Sequence, residues 1–368
     1  MMIKSAMMTT TTDVLDGPAT DASVIFSAGA GHVAPNAADD PGLVIDSSWN
    51  DWLGFLCATQ LPTSSCTDDG IPLINAADFN VPSIAINNLA GSQSVTRTLR
   101  NVGKRSAYSV TVRGLSGVTV SVSPSTFTLN PGATQKVTIT FTRTSAPLNE
   151  YTGGTITWSD RTHKVRIPVV VNPVALSAPA QVSGDYSVRF GYDGPFTATA
   201  RGLLPAAVVA NQTVSDGQAK AYGVGIAAGT TYARFSLFDS DVSPVGTDLD
   251  LRIFFLNEDG STTLVGSSGG ATTAEEVNLV NPVAGTYYLV VDGYATANPS
   301  TFNAYVWRLG SADAGNMTVT APGTATLGAS GNIGLTFNGL TPGLRYLGSV
   351  AYDGAAGMPN PTIVRVDP

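Results

Sequence analysis

From about residue 81 to residue 171, apolar and polar residues alternate. Tyr108, Val110 and Val112 alternate with Ser109, Thr111 and Arg113; Val118, Val120 and Val122 with Thr119, Ser121 and Ser123; Val137, Ile139 and Phe141 with Lys136, Thr138 and Thr140. Ile156 pairs with Trp158, and Val165, Ile167, Val169 and Val171 end the series. A strand sends successive side chains to opposite faces, so this period of two means one buried face and one wet face. With residues 95–102 and 127–129 the pattern predicts about seven short strands, the signature of a one-core β-sandwich. Asn130-Pro131-Gly132 supplies a turn, with Pro presetting φ and Gly allowing φ > 0.

Other periods flank this block. Ile3, Met7 and Met8 recur at helical spacing, and the β-branched run at residues 9–12 should stop that helix. Residues 28–46 are rich in Gly, Pro, Asn and Asp without a period and predict a loop. Trp49, Trp52, Leu53 and Leu56 predict a short helix, with Ser48 as N-cap and Asp51 completing a capping box. Asn172-Pro173 and the Ala/Ser/Pro stretch to Pro179 read as a linker. A second β-region follows, with strands at 186–190, 222–226, 232–238, 248–256, 276–280, 286–291 and 302–307, and a smaller β-unit runs from 311 to the end. That last unit is too short for a sufficient core of its own and should pack on its neighbour. The expected division is 1–80, 81–173, 174–310 and 311–368, a mainly β chain of tandem β-sandwiches preceded by a short α/loop segment.

Composition narrows the function. Of 368 residues, 43% are hydrophobic and only 12% charged, which suits packed cores. The net charge of −8 with no run of Lys or Arg excludes nucleic acid as a partner, since phosphate binding needs a basic face. No apolar stretch approaches the roughly 20 residues of a membrane span. Residues 1–12 carry one Lys, no apolar h-region and no A-x-A site, so they are not a signal peptide; in a chain of secretory texture this reads as a true N-terminus lying upstream. The two cysteines, Cys57 and Cys66, could close a small disulfide loop or remain free thiols; their spacing fits no zinc pattern.

Three runs carry a family resemblance. IKSAMMTTTTDV at residues 3–14 resembles the helix after the nucleophile motif of subtilisin-like serine proteases. GAGHVAPNAADDPGLVID at residues 29–46 resembles that family's G-A-G-H-V-x-P-x-x-A-x-D-P-G-L-V-Y-D segment, with Ile45 in place of Tyr, and WNDWLGFLC resembles the short helix after it. VTRTLRNVG at residues 95–103 resembles the opening of the family's fibronectin type III-like domain. The second β-region, with FSLFDSDVSPVGTDLDLRIF and AEEVNLVNPVAGTYYLVVDGY, resembles bacterial pre-peptidase C-terminal modules. The resemblance implies that residues 1–80 are the tail of an α/β catalytic domain and that the chain is secreted. It implies an upstream catalytic domain or a polymeric protein substrate as partner. It brings no catalytic residue: no G-T-S-M-A-x-P run is present. A free-standing extracellular binding or adhesion protein is the alternative.

Four residue groups remain as candidate chemistry. Asp239, Asp241, Asp248 and Asp250 lie close in sequence, and Asp248 and Asp250 share a strand face. Such oxygens could hold Ca²⁺, the one cofactor the sequence suggests and none it requires; the alternative is ordinary acidic turns. His32 and His163 lack any catalytic motif and read as a loop-ordering residue and an exposed sheet residue. Glu275 and Glu276, as strand neighbours, point apart and cannot flank one bond. Tyr287, Tyr288, Tyr294, Tyr305 and Trp307 could form a binding platform, or serve as core.

Overall fold

The computed structural model describes residues 2–15, 17–61, 63–296 and 299–368. The N-terminal segment contains α1 (Met2–Thr9), α2 (Ala22–Ala28), α3 (Pro35–Asp39), β1 (Leu43–Ile45), α4 (Trp49–Thr59) and α5 (Thr63–Asp68). Helix α1 ends where the threonines begin, and Thr9 and Thr10 turn their hydroxyls back to the carbonyls of Ser5 and Ala6. Ser48 and Asp51 close the capping box of α4. Residues 28–46 are not the uninterrupted loop expected, because they hold α3 and β1. Three residues are too few to show a period, so the strand was hidden between glycine, proline and aspartate.

The first sandwich comprises β2 (Ile84–Leu89), β3 (Ser92–Asn101), β4 (Ser106–Gly114), β5 (Val118–Ser123), β6 (Thr126–Leu129), β7 (Thr134–Arg143), β8 (Thr152–Ser159) and β9 (Lys164–Pro173). Its sheets run β1-β3-β7-β5 and β2-β9-β8-β4-β6. The alternating apolar positions meet between them: Val95, Leu99, Ile139, Phe141, Ile156 and Trp158 are fully buried. β1 pairs antiparallel with β3, Leu43 opposite Asn101 and Ile45 opposite Leu99, and both apolar side chains enter the same core. Residue 80 is therefore no domain boundary: the N-terminal segment supplies a strand to the sandwich.

Two polar residues of the 95–103 run are buried hubs. Arg97, 2% exposed, donates from Nε to Val81 O at 3.0 Å, from Nη1 to Ala77 O at 2.9 Å and from Nη2 to Ser83 O at 2.6 Å. Burial pulls its pKa down to about 10, against the opposing charge of Asp78. Asn101 donates to Lys104 O and Leu129 O and accepts from Gly103 N.

The expected linker at 172–179 is absent. β9 runs through Pro173, Val174 N donates to Leu89 O, and Ala175 and Leu176 are buried. The division at 310 is also displaced. β10 (Leu176–Ser177), β11 (Gln181–Val182), β12 (Tyr186–Phe190), β13 (Gly194–Pro195) and β14 (Thr197–Pro205) precede an insertion formed by β15 (Ala207–Val214), β16 (Ala219–Ile226), β17 (Tyr232–Ser236), β18 (Val242–Ser243), β19 (Asp248–Leu256), β20 (Thr262–Ser268), β21 (Glu276–Val280), β22 (Gly285–Ala295) and β23 (Ser300–Leu309). β24 (Met317–Thr320), β25 (Thr324–Ala325), β26 (Ser330–Phe337), β27 (Tyr346–Asp353) and β28 (Thr362–Val366) then return to the first group. The sheets β10-β12-β26-β24 and β11-β28-β27-β14 build one host unit from residues on both sides of the insertion. The inserted unit has its own two sheets and its own core around Phe235, Leu251, Leu289 and Phe302. The last 58 residues were expected to lean on a neighbour; they instead complete the sheets begun at residues 176–205. Alternation reveals strands but not which distant strand pairs with which.

Candidate functional site

The outer face of sheet β2-β9-β8-β4-β6 carries the polar half of the alternation. Thr111 and Arg113 of β4, Thr155, Thr157 and Ser159 of β8, and Lys164 and Arg166 of β9 line a groove of about 910 Å³. Residues of the N-terminal segment, including Asp13, Asn36 and Asp40, form its other wall. The groove gathers cations in a chain of net charge −8.

Two ties cross it. Arg166 pairs with Asp13 and donates from Nη2 to Ala30 O at 3.1 Å and to Thr11 Oγ1 at 3.3 Å. His163 lies between two carboxylates, with Nδ1 at 2.9 Å from Asp160 and Nε2 at 3.2 Å from Asp40. The Asp160 carboxylate also accepts the backbone N–H groups of Thr162 and His163. Burial works against its charge, yet these hydrogen bonds hold it well below the usual carboxylate range. Burial likewise opposes a charged His163, but the hydrogen bonds and charges of Asp160 and Asp40 outweigh it and raise the imidazole above its ordinary value. Tyr108, beneath them, is pushed up to about 12 by burial and then by the Asp160 charge. Gly42 has φ +75, and a Cβ there would meet the His163 ring and the Tyr108 hydroxyl at 2.8 Å, so the sequence Pro41-Gly42 brings the segment close enough for Asp40 to reach His163.

His163 is thus not the exposed sheet residue expected: 16% of its side chain is accessible. An Asp–His pair alone does not make a nucleophile-activating dyad. The ring nitrogen that would accept a proton from a nucleophile faces Asp40 instead. His32 is exposed and acts through its backbone, exchanging hydrogen bonds with Thr12 at 2.9 and 3.0 Å.

The remaining candidates disperse. Asp241 is engaged by Arg345 at 2.9 Å, on the contact between inserted and host units. Asp239 shares its 3-10 turn, while Asp248 and Asp250 begin β19. Asp250 is raised by burial and then by Asp248, Glu275 and Asp292. Among the described residues no three His, Cys, Asp or Glu side chains converge where they could hold a metal ion. Glu275 is buried against Ser268 Oγ and Gly270 N, whereas Glu276 pairs with Arg234 at 3.0 Å. Tyr287 and Trp307 are buried, and Tyr305 stacks on Trp307 at that contact, so these three build structure, whereas Tyr288 is half-buried and Tyr294 is exposed. Cys57 and Cys66 are bonded to each other, Cα–Cα 6.0 Å. Among the described residues no helix is long and apolar enough to cross a membrane.

Residues 78–171 match the fibronectin type-III domain family. The chain is 38% identical over 191 residues to Subtilisin-like protease SBT2.5 of Arabidopsis thaliana, covering 46% of this chain and 23% of that protein. It is 41% identical over 190 residues to Subtilisin-like protease SBT5.4 of the same plant, covering 46% and 24%. The chain thus spans about a quarter of the length of these relatives. Among solved structures, tripeptidyl peptidase 2 overlays at a TM-score of 0.27 and 11% identity, covering 87% of this chain and 24% of that one, a likeness too low to bear on the fold.

Proposed function

We propose that this chain, which carries the fibronectin type III-like domain of subtilisin-like proteases, is the C-terminal accessory portion of a secreted subtilisin-like serine endopeptidase. The observation that carries the reading is the join at the N-terminal segment. Leu43 and Ile45 are built into the sandwich core, and α1 packs its Ser5, Ala6 and Thr9 face inward, with Ser5 Oγ accepting Ile45 N at 2.8 Å. Its other face leaves Ile3 80% exposed beside Met2 and Met7. An apolar helix face that is half docked and half uncovered suits a second protein surface, here a catalytic domain. In the intact enzyme peptide bonds would be cleaved through an acyl-enzyme on a serine outside this sequence, and no cofactor is needed. The inserted unit is read as a pre-peptidase C-terminal-like module, and the β-units stabilise the protease or hold polymeric substrate. The Cys57–Cys66 bridge suits an oxidising, extracellular setting.

The test is labelling with a fluorophosphonate probe, on this chain alone and fused behind a subtilase catalytic domain. No serine of the chain alone should label, and the fusion should inactivate more slowly on heating than the catalytic domain by itself. A labelled serine within this chain would overturn the reading. So would an unchanged inactivation rate together with retention on peptidoglycan or insoluble protein, which would favour a free-standing adhesion protein.

A further inference from the structure

We propose that His163 is a proton-operated latch, engaged when both ring nitrogens carry hydrogen, that holds residues 30–42 against the outer face of the first sandwich. Asp160 at Nδ1 and Asp40 at Nε2 both present acceptors only, so satisfying both contacts takes two N–H groups, and only the imidazolium has two. A neutral ring keeps one hydrogen. The Asp160 side chain is 6% accessible, lies three residues away in the same turn and is the closer carboxylate at 2.9 Å, so it keeps that hydrogen; the Thr162 hydroxyl, 3.0 Å from Nδ1, gives its own hydrogen to Asp160 Oδ1 at 3.2 Å and leaves Nδ1 to donate. The Nε2 lone pair is then left facing Asp40, which is 74% exposed and can swing into water. Proton loss therefore breaks the contact that crosses the groove and spares the one within the turn.

The neighbours set the direction. Asp160 stays ionised, Asp40 and the Tyr108 hydroxyl complete the pocket around the ring, and Lys164, Arg166 and Arg113 are the cations of the same groove that oppose a positive imidazole. The two carboxylates prevail, and the docked ring binds its proton more tightly than a free one. Docking is therefore fully supported below the ordinary histidine value of about 6.5 and is lost as pH rises through the higher, docked value. The Arg166 tie to Asp13 and Ala30 carries no such dependence, so the segment loosens around Asp40 without detaching.

The chain has only two histidines, so both imidazoles can be followed by NMR titration of the full-length protein. His163 should titrate above the ordinary histidine value of about 6.5, and Asp40→Asn should bring its midpoint down. Amide exchange across residues 30–42, corrected for intrinsic rate, should rise about two- to fivefold from pH 5.5 to pH 9, the range of an exposed ion pair. His163→Gln and Asp40→Asn should each abolish that rise. A His163 midpoint at or below 6.5, a flat exchange profile in the parent protein, or an undiminished rise in His163→Gln would each overturn the proposal.

Discussion

The guanidinium of Arg345, in the host unit, lies over the ring of Phe238, in the inserted unit, with Cζ 4.0 Å from the ring centroid. Arg365 approaches the same ring at 4.8 Å, and Arg345 also pairs with Asp241 and Asp367. Trp307 Nε1 donates to Arg345 O, and Trp307 and Leu309 pack on Leu347 and Ile363. The insertion is thus held by a charged aromatic stack over a small apolar core. Arg345→Ala should lower stability by about 1–2 kcal/mol, the sum of a partly desolvated cation–π contact and a weak ion pair. Asp241→Asn should lower the melting temperature by the same amount in EDTA as in millimolar Ca²⁺. A Ca²⁺-dependent difference would mean that Asp241 has a second role.

Discontinuity of the host unit makes a sharper prediction. Gly202 N donates to Ala312 O and Ala314 N to Gly202 O, so the two ends of the insertion lie side by side. Deleting residues 207–309 and bridging the gap with a short Gly/Ser linker should leave a host unit that melts cooperatively, at a lower temperature because Leu347 and Ile363 lose their cover. Truncation after residue 310 should leave β11, β13 and β14 without sheet partners and β12 with β10 alone, and so open residues 174–205 to protease. Equal protection of that stretch in both proteins would refute the topology.

Arg97 tests the buried hub. Arg97→Ala removes the donors from four half-buried carbonyls and should cost about 2–4 kcal/mol. Chemical denaturation would show it as a shifted midpoint at unchanged slope.

Gly42→Ala combines a left-handed φ with contacts at 2.8 Å to His163 and Tyr108. A cost of about 1–3 kcal/mol is expected, with the His163 imidazole titrating nearer its ordinary value as the segment is pushed away. The two readings, by calorimetry and by NMR, should move together.

Opening the Cys57–Cys66 bridge with reductant releases a loop of sequence separation 9 and should destabilise the α4–α5 region by about 2–3 kcal/mol on the chain-entropy view. Proteolysis between residues 57 and 66 should appear on reduction, before the sandwiches melt.

What the sequence disclosed follows from which signals are local. The strands at 186–190, 248–256 and 276–280 were legible to the residue, because period two survives in a short window. So was the Ser48 cap, whose partner is three residues away. β15 and β20 were missed because their apolar residues, such as Val208 and Leu264, are largely exposed and show no clean alternation. The latch was illegible for a different reason. His163 and Asp40 carry no motif, and only the pairing of β1 with β3 and the freedom of Gly42 bring them together. Nor does closeness in sequence disclose convergence in space: Asp241 pairs with Arg345, about a hundred residues on, and nothing local to 239–250 signals it.

The interrupted host unit has a consequence for the order in which the protein can be made. Tyr186 waits for Ile333 and Thr197 for Asp353, so strands translated early lack these partners while the whole insertion emerges and folds. A ribosome-bound chain would therefore carry a finished first sandwich, then a finished insertion, and between them a pair of open sheet edges until residues 362–366 are added. The vulnerable moment in its biogenesis is set by strand pairing across that gap, and it closes only when residues 362–366 have been made.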